Sequence, residues 1–363
     1  IPTHKMGLVL FIGLPVGLLL AIFFFMKSSK EMPKNWAQFV CEVRMQICGF
    51  QGLLDDFIMR PRNKVELYKQ PGKIALITGG NRGIGLRIVK KLVECEIEVI
   101  LGVRNPVDSR KAVEAYLEHA KIPVSSCKLH YEQLDIGNMK SVREFATKIR
   151  AKFDKIHLLI NNAGVMSVPF KLTDEGFESH MAINYYGHFL LTHLLLPQLR
   201  AAGTAECKAR VVNVSSCVHK IGEIDYNDIN KVKNYYPADA YNQSKLAQVL
   251  FAKYTNLMFE EEGMPVLSYS LHPGVVNTDL FEHSSTNYIP WVRTLLFKNP
   301  EEGSRTVVYA AIAPKLETRG GCYLSNCREA GSHRYWNNSV QCEKLFNFTC
   351  DTLGIDDFFY KGK

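Results

Sequence analysis

The sequence predicts an α/β fold in which a doubly wound parallel sheet of about seven strands carries helices on both faces. Three observations favour this fold. Short apolar runs of strand length alternate with segments of helical periodicity along most of the chain. A glycine-rich turn, TGGNRGIG, joins the first of these runs to a helical segment. The 363 residues, 47% of them hydrophobic, are enough to bury such a core.

The composition argues against two kinds of partner. The net charge is +8 at pH 7, but the basic residues are spread along the chain without a basic patch of interleaved aromatics, so no nucleic-acid partner is predicted. The ten cysteines include no Cys-x-x-Cys pair, and the four near the carboxyl end fit no zinc spacing. We therefore expect reduced thiols and no metal site. A disulfide in the carboxyl-terminal tail is the alternative.

Residues 1–30 are predicted to form an amino-terminal membrane anchor. Gly7 to Met26 are twenty apolar or small residues without a charge. At about 1.5 Å per residue, they match the roughly 30 Å hydrocarbon core of a bilayer. The run ends without a small-x-small cleavage site, which argues against a removed signal peptide. The sequence therefore predicts a single transmembrane helix and a membrane as a partner.

The charges beside this run predict its orientation. Lys27, Lys30 and Lys34 follow the run, whereas Lys5 and the free amine precede it. The positive-inside tendency therefore places the body of the protein in the cytosol. The endoplasmic reticulum and lipid droplets are the expected membranes, with the mitochondrial outer membrane as the alternative.

Residues 31–70 are predicted to form an amphipathic helix and a linker. The apolar residues that fall at helical spacing on one face are Trp36, Phe39, Val40, Val43, Ile47 and Phe50. Two interpretations stay open for this helix. It either packs on the domain that follows or lies in the membrane interface, where it would hold the mouth of a functional site near lipid.

Residues 71–363 form the predicted domain, whose first strand runs into the glycine-rich turn. In this strand–turn–helix context, Gly79 permits a tight turn and Gly83 lets the backbone approach a pyrophosphate. Gly85 lets the helix pack closely on the strand. The amino end of the helix adds N–H donors and a positive dipole end for phosphates. This pattern predicts a dinucleotide site in a Rossmann-type sheet.

The second strand, EVILGVR, ends at Arg104 rather than at an acid. An acid there would bind the adenosine ribose hydroxyls and repel a 2′-phosphate, whereas Arg104 and Arg82 offer that phosphate two cations. The predicted cofactor is therefore NADP(H). In the alternative interpretation both arginines are solvated surface residues.

Later motifs supply groups for acid–base chemistry. The segment AYNQSKLAQ places Tyr241 and Lys245 one helical turn apart on the same face. A tyrosine with its ordinary pKa of about 10 is a poor acid–base group at neutral pH, and a neighbouring ammonium is expected to lower that pKa. The strand RVVNVSS ends in Ser215 and Ser216, and Ser216 can hold a substrate oxygen. Asn184 can position a water relay to the lysine. Such a set can move a proton at an oxygen while a hydride moves at the neighbouring carbon.

In their order and spacing, TGGNRGIG, NNAG, the serine-ended strand and YNQSK resemble the short-chain dehydrogenase/reductase family over about residues 71–330. The resemblance implies that the catalytic residues are Asn184, Ser216, Tyr241 and Lys245, and the choice of Ser216 over Ser215 depends on it. The implied cofactor contacts are Gly79, Asn81, Arg82, Gly83, Ile84, Gly85, Arg104, Asp135, Asn162, Tyr241, Lys245, Val276 and Thr278. Homodimers are common in the family, so the resemblance also allows a homodimer.

Within the family, NYYGHFLLTHLLLP, HPGVVNTDLF and LFKNPEEGSRTVVYAA resemble the retinol dehydrogenases and the X-linked dehydrogenase/reductase. These resemblances imply a retinoid or a polyprenol-like isoprenoid, interconverted between an alcohol and its aldehyde or ketone. The apolar residues of the expected substrate lid are Phe281, Tyr288, Ile289, Trp291, Leu295, Leu296 and Phe297. A lipophilic small-molecule substrate suits such a lid, although these side chains could instead cover the edge of the sheet. The alternatives are a steroid or fatty-aldehyde reductase and a non-catalytic NADP(H)-binding scaffold or sensor.

Overall fold

The computed structural model describes residues 33–282 and 290–361, which form helices around an eight-stranded sheet. The strands are β1 (Ile74–Thr78), β2 (Glu98–Val103), β3 (Leu129–Gln133), β4 (Leu158–Asn161), β5 (Ala209–Val214), β6 (Val266–His272), β7 (Tyr323–Ser325) and β8 (Arg328–Glu329). The helices are α1 (Trp36–Met59), α2 (Gly83–Glu94), α3 (Pro106–His119), α4 (Met139–Lys152), α5 (Gly187–Ala202), α6 (Pro237–Glu261), α7 (Pro290–Leu296), α8 (Pro300–Ile312) and α9 (Ser339–Leu353).

The sheet has the order β3-β2-β1-β4-β5-β6-β7-β8, and every neighbouring pair up to β7 is parallel. One hydrophobic core, beneath α2, α3 and α8, lies on one face of the sheet, and a second, beneath α4, α5, α6 and α9, lies on the other. The predicted doubly wound, Rossmann-type α/β fold is confirmed. Because the strand order reverses between β1 and β4, the connections after these strands diverge and leave a crevice at their carboxyl ends.

The sequence does not predict the short strand β8, which pairs antiparallel with β7. The two strands are joined by Asn326 and Cys327, whose φ angles are both positive, at 51° and 55°. Positive φ at both central residues is the geometry of the tightest β-hairpin turn, which usually carries Asn-Gly. With cysteine in the second position, the turn lacks the glycine that would identify it in the sequence.

Two irregular turns position residues of the predicted site. A π-helical turn, Met181–Tyr186, leads directly into α5 and contains Asn184. A 3₁₀ turn, Cys217–Ile221, follows β5 and is capped by Ser216. Helical turns of the π type are rare and tend to occur at functional sites.

The described ranges contain no helix that is both long and apolar enough to cross a membrane. The predicted anchor, residues 1–30, lies outside the described residues. Tyr288 and Ile289 of the expected lid also lie outside them, as does the side chain of Trp291.

Candidate active site

A cavity of about 1170 Å³ lies over the carboxyl ends of the central strands. Every residue predicted to contact the cofactor lines it, and so does Ser216. Asn184 is the one predicted site residue that is not part of the lining. The structure therefore brings together segments that follow six different strands, as a crevice at the switch point of a doubly wound sheet requires.

The glycine-rich turn has a shape that only glycines allow. Gly79 has a φ of +67°, and a Cβ on Gly85 would lie 2.1 Å from the backbone oxygen of Gly79. The Asn162 side-chain amide donates to the backbone oxygens of Thr78 and Gly79, at 2.9 and 3.1 Å, and so fixes the turn from the β4 side. The backbone of the turn thus stays open toward the cavity at the start of α2. This is the cradle that a pyrophosphate needs, so the residues fit a dinucleotide.

Two arginines, Arg104 and Arg82, and two acids line the end of the cavity beside β2. Arg104 is exposed and lines the cavity. Arg82 lies 3.5 Å from the carboxylate of Asp279, and both of these side chains are mostly exposed, so the pair holds the guanidinium only weakly. Asp135 lines the same end, where its carboxylate accepts a hydrogen bond from the backbone N–H of Gly137 at 3.1 Å.

His188 joins the glycine-rich turn to Asn184, although it is not among the predicted site residues. Thr78 Oγ1 accepts the backbone N–H groups of Asn162 and Ala163, each at 3.0 Å, and lies 2.9 Å from His188 Nε2. Because both acceptor positions of this hydroxyl are used, it donates its proton to Nε2. His188 Nδ1 then donates to the backbone oxygen of Asn184 at 3.1 Å. Burial lowers the pKa of His188 to about 4, which keeps this neutral form.

The sequence contains a signal for this contact. In NYYGHF, His188 stands four residues after Asn184, which is the spacing of neighbours on one helix face. That spacing cannot reveal Thr78 as the second partner, because Thr78 lies at the end of β1, far away in the chain.

Asn184 is held by its own side chain behind the cavity wall. Its Oδ1 accepts the backbone N–H of Val165 at 2.9 Å. Its Nδ2 donates to the backbone oxygen of Val165 at 3.0 Å and to Ser244 Oγ at 2.9 Å. The side chain thus fixes the segment that follows β4 against α6. The predicted water relay at Asn184 stays a prediction.

The two serines at the end of β5 have different surroundings. Ser215 is buried, and its hydroxyl donates to the backbone oxygen of Lys245 at 2.7 Å, inside the protein. Ser216 is hydrogen-bonded to Tyr241, and both side chains line the cavity. This arrangement supports Ser216 rather than Ser215 as the serine available to a substrate oxygen.

Tyr241 is 3% exposed, and its pKa is raised above the ordinary value because of burial, which the hydrogen bond with Ser216 partly opposes. The direction is opposite to the predicted lowering by Lys245. The Lys245 ammonium lies 5.7 Å from the centroid of the Tyr241 ring and donates to Val214 O and Gln248 Oε1, both at 2.9 Å. Burial also lowers the pKa of Lys245 to about 7. A lysine that is only partly charged near neutrality cannot offset the desolvation of the phenolate.

Helix α1 forms one wall of the cavity. Its residues Met45, Ile47, Phe50 and Leu53 are part of the lining, as is the glycine-rich turn. None of them is among the predicted site residues, because residues 31–70 read as a segment that precedes the domain. The wall that they add is apolar.

Two acids attach α1 to the rest of the protein. Glu42 accepts a hydrogen bond from the hydroxyl of Tyr236 at 2.7 Å. Asp56 accepts the backbone N–H of Val275 at 2.7 Å and pairs with Lys298 at 2.8 Å. The helix is therefore packed on the domain, through the face opposite to its exposed apolar residues, such as Trp36 and Phe50. Two acids on that face are the signal in the sequence that could have indicated this orientation.

Within residues 33–282 and 290–361, no group of three or more His, Cys, Asp or Glu side chains is arranged to hold a metal ion.

Residues 73–288 match the short chain dehydrogenase family. Human polyprenol dehydrogenase is 39% identical over 79% of this chain and 87% of its own length. Human retinol dehydrogenase 12 is 37% identical over 81% of this chain and 89% of its own length. The crystal structure of an uncharacterised protein from Mycobacterium paratuberculosis superposes with a TM-score of 0.63 at 28% identity, covering 80% of this chain and 96% of that one. The glycine-rich turn, the cavity at the switch point and these similarities agree, and the chain belongs to the short-chain dehydrogenase family.

Proposed function

We propose that this protein is an NADP(H)-dependent oxidoreductase that interconverts a lipophilic alcohol and its aldehyde or ketone. The observation that carries the proposal is that Tyr241, Ser216 and Lys245 line the same cavity as the glycine-rich turn. An acid–base group, a hydroxyl for the substrate oxygen and a dinucleotide cradle thereby share one space, which is what hydride transfer at a carbonyl requires.

Each group has a role that follows from its position. The glycine-rich turn and Asn162 would hold the pyrophosphate, Arg104 and Arg82 the 2′-phosphate, and Val276 and Thr278 the far side of the nucleotide. The bound cofactor supplies or accepts the hydride. Tyr241 delivers the proton to the carbonyl oxygen in reduction and takes it from the hydroxyl in oxidation, while Ser216 holds that oxygen. The Lys245 ammonium stabilises the phenolate as the proton leaves.

The apolar wall supports a lipophilic substrate. Met45, Ile47, Phe50 and Leu53 from α1 and Phe281, Leu296 and Phe297 from the segment after β6 contribute apolar side chains to the lining. The transfer of a long apolar chain from water into such a cavity is favourable, because the free energy gained grows with the apolar area that is buried. The names of the two human relatives, which act on a polyprenol and on retinol, support an isoprenoid alcohol. The predicted anchor, residues 1–30, would keep the cytosolic domain at an endoplasmic reticulum or lipid-droplet membrane that holds such a substrate.

A turnover assay tests this function. The detergent-solubilised protein is offered NADPH or NADH together with retinal, a polyprenal, a steroid ketone or a fatty aldehyde. We expect oxidation of NADPH with the two isoprenoid aldehydes well above the others, because their flexible apolar chains fit the lined cavity. Faster turnover of the steroid ketone would support the steroid reductase alternative. Binding of NADPH without any turnover would support the scaffold alternative.

Arg104→Asp is expected to change the cofactor preference. The substitution replaces a cation at the mouth of the cavity by an anion that repels the 2′-phosphate. Loss of one charge-assisted contact corresponds to a shift toward NADH of about ten- to a hundredfold in the ratio of the two kcat/KM values. Steady-state kinetics with both cofactors measure the ratio.

Lys111→Asp is the matched control, since Lys111 is also exposed and close in sequence but does not line the cavity. It makes the same change of charge on α3 and should leave the preference within about twofold, as expected of a screened surface charge. If Arg104→Asp left the ratio of the two kcat/KM values unchanged, Arg104 would not bind the 2′-phosphate.

A further inference from the structure

The apolar stripe of α1 faces away from the protein. Trp36 and Phe57 are each 76% exposed and Phe50 is 61% exposed, and Ile47, Leu54 and Ile58 are exposed as well. Ile47, Phe50, Leu54 and Phe57 recur every three or four positions, and Trp36 lies on the same side of the helix about three turns before Ile47. The half-buried Val40 and Val43 continue this face between Trp36 and Ile47. Isolated exposed apolar side chains are ordinary, whereas a continuous apolar stripe indicates an interaction surface.

The inward face of α1 carries polar side chains that have partners on the domain, and these partners fix the orientation of the helix. Glu42 and Asp56 make the contacts described above, and Gln38 donates to the backbone oxygen of Tyr235 at 3.4 Å. Both members of the Asp56–Lys298 ion pair are nearly inaccessible to solvent. Turning the stripe inward would leave Lys298 buried without its charged partner, which is strongly unfavourable. The outward stripe is therefore a stable feature of the fold.

The charges of α1 are distributed as in helices that lie at a membrane surface. Its acids, Glu42, Asp55 and Asp56, are on the inward side and bonded there. Exposed cations stand near the ends of the stripe, at Lys34 before it and at Arg60 and Arg62 after it. An apolar face with basic residues beside it suits the boundary between acyl chains and headgroups.

The stripe continues into the mouth of the cavity. Ile47 and Phe50 belong to the stripe and also line the cavity. Leu296, exposed at the end of α7, lines the cavity as well, and its neighbour Leu295 is exposed. The mouth is thus bordered by apolar side chains from two elements. A second copy of the chain seated on the stripe would cover Ile47 and Phe50 and close this entrance.

The sequence before α1 indicates what covers the stripe. Nine residues separate the apolar run Gly7–Met26 from Trp36. Nine residues reach at most about 30 Å, so α1 stays within that distance of the end of the run. A run that enters a bilayer therefore holds the stripe beside the bilayer surface.

We propose that the outward stripe of α1 inserts into the membrane interface and that a lipid alcohol passes from the bilayer into the cavity beside Ile47 and Phe50. The inference rests on the lipophilic substrate of the proposed function. It assigns α1 two tasks, one wall of the active site and the contact with lipid. A substrate that follows this route does not have to leave the apolar phase on its way to Tyr241.

Fluorescence of Trp36 tests the insertion in the full chain. The chain has three tryptophans, so Trp291→Phe and Trp336→Phe leave Trp36 as the only reporter. Reconstituted into phosphatidylcholine vesicles with brominated acyl chains, this protein should lose at least about half of its emission, since bromine quenches at contact and the stripe lies at the acyl boundary. Emission equal to that in unbrominated vesicles would overturn the proposal, whether or not the protein turns over any substrate.

Kinetics test the route with Leu54→Glu/Phe57→Glu, a pair of stripe residues that do not line the cavity. With NADPH and a long polyprenal in phosphatidylcholine vesicles, kcat/KM should fall at least about tenfold, as expected when two inserted apolar side chains become charged. With a short, water-soluble isoprenoid aldehyde in buffer it should stay unchanged. Val340→Glu, an equally exposed apolar position on α9, should change neither.

Three outcomes would contradict the route. An equal loss on both substrates would show that the stripe acts on turnover in general and not on entry from the bilayer, and no loss on either would show that the stripe has no part in substrate entry. Conversion of a dimer into a monomer by the charged pair, with both activities kept, would assign the stripe to a second copy. Turnover of the short aldehyde by the unmodified protein tests the proposed function independently of all three.

Discussion

Tyr241→Phe is expected to lower kcat by about two to four orders of magnitude, the usual contribution of a general acid–base group. The phenylalanine keeps the ring that packs against Cys48, Met166 and Val218 and removes only the hydroxyl that bonds to Ser216. The substrate oxygen then has no proton donor near the amino end of α6. The dissociation constant for NADPH should change little, because the turn and the arginines are untouched. Single-turnover kinetics and a fluorescence titration measure the two quantities.

Tyr185→Phe is the matched control for loss of a buried tyrosine hydroxyl. Its hydroxyl lies 2.9 Å from Thr349 Oγ1, outside the cavity lining. The variant should lose about 1 kcal/mol of unfolding free energy with little change in kcat. If Tyr241→Phe kept normal turnover, or if both variants lost it equally, Tyr241 would not be the proton donor.

Lys245→Met is expected to lower kcat and to change the way in which the NADPH dissociation constant depends on pH. Burial lowers the pKa of Lys245 to about 7, so the side chain is an ammonium below that pH and mostly neutral above it. An anionic cofactor favours the ammonium, so its binding takes up a proton above pH 7. For the unmodified protein, the NADPH dissociation constant should be nearly constant below pH 7 and rise toward tenfold per pH unit above it. The 2′-phosphate of NADPH titrates near pH 6 and affects all variants equally.

In Lys245→Met this rise above pH 7 should disappear, and kcat should fall by about two to four orders of magnitude because the charge beside Tyr241 is lost. Lys91→Met is the control. Lys91 is also buried with a lowered pKa, about 8, but it lies on α2 and pairs with Glu301 outside the cavity. Its pH profile should follow that of the unmodified protein. Identical profiles for Lys245→Met and the unmodified protein would assign the proton uptake to another group. Calorimetric titration from pH 6 to 9 provides the comparison.

The strand–turn–helix unit and the cofactor cavity could be predicted because their determinants are local. Gly79, Gly83 and Gly85 are identified by spacing, and the backbone constraint that each satisfies lies within one turn of chain. Arg104 and Ser216 are found as the residues that end strands, since the carboxyl ends of parallel strands meet at one edge of the sheet. The order of the motifs along the chain thus determined which residues line the cavity.

The contacts of Asn184 could not be predicted in the same way. Its position on a π-helical turn turns the side chain toward Val165 and Ser244, and its backbone oxygen toward His188. These partners come from three segments far apart in the chain. A local pattern specifies a residue type at a position, but not the direction of its side chain once a helix departs from regular geometry.

The state of Tyr241 is likewise a property of the folded protein. The spacing of Tyr241 and Lys245 places them on one helix face, as predicted. Whether the lysine carries its charge depends on burial by the surrounding segments, which lowers its pKa to about 7. Desolvation results from the whole fold, so spacing alone suggested the wrong direction for the pKa of Tyr241.

The doubly wound sheet, the glycine-rich turn and the apolar stripe of α1 follow from the sequence alone, because periodicity and turn chemistry depend on neighbouring residues. The direction in which that stripe faces depends on contacts that form in the folded protein. Glu42 and Asp56 find buried partners on the domain, in Tyr236, Val275 and Lys298. These polar contacts, rather than the apolar residues, set the rotation of the helix, because a buried charge must be paired whereas an apolar face can be covered by another phase.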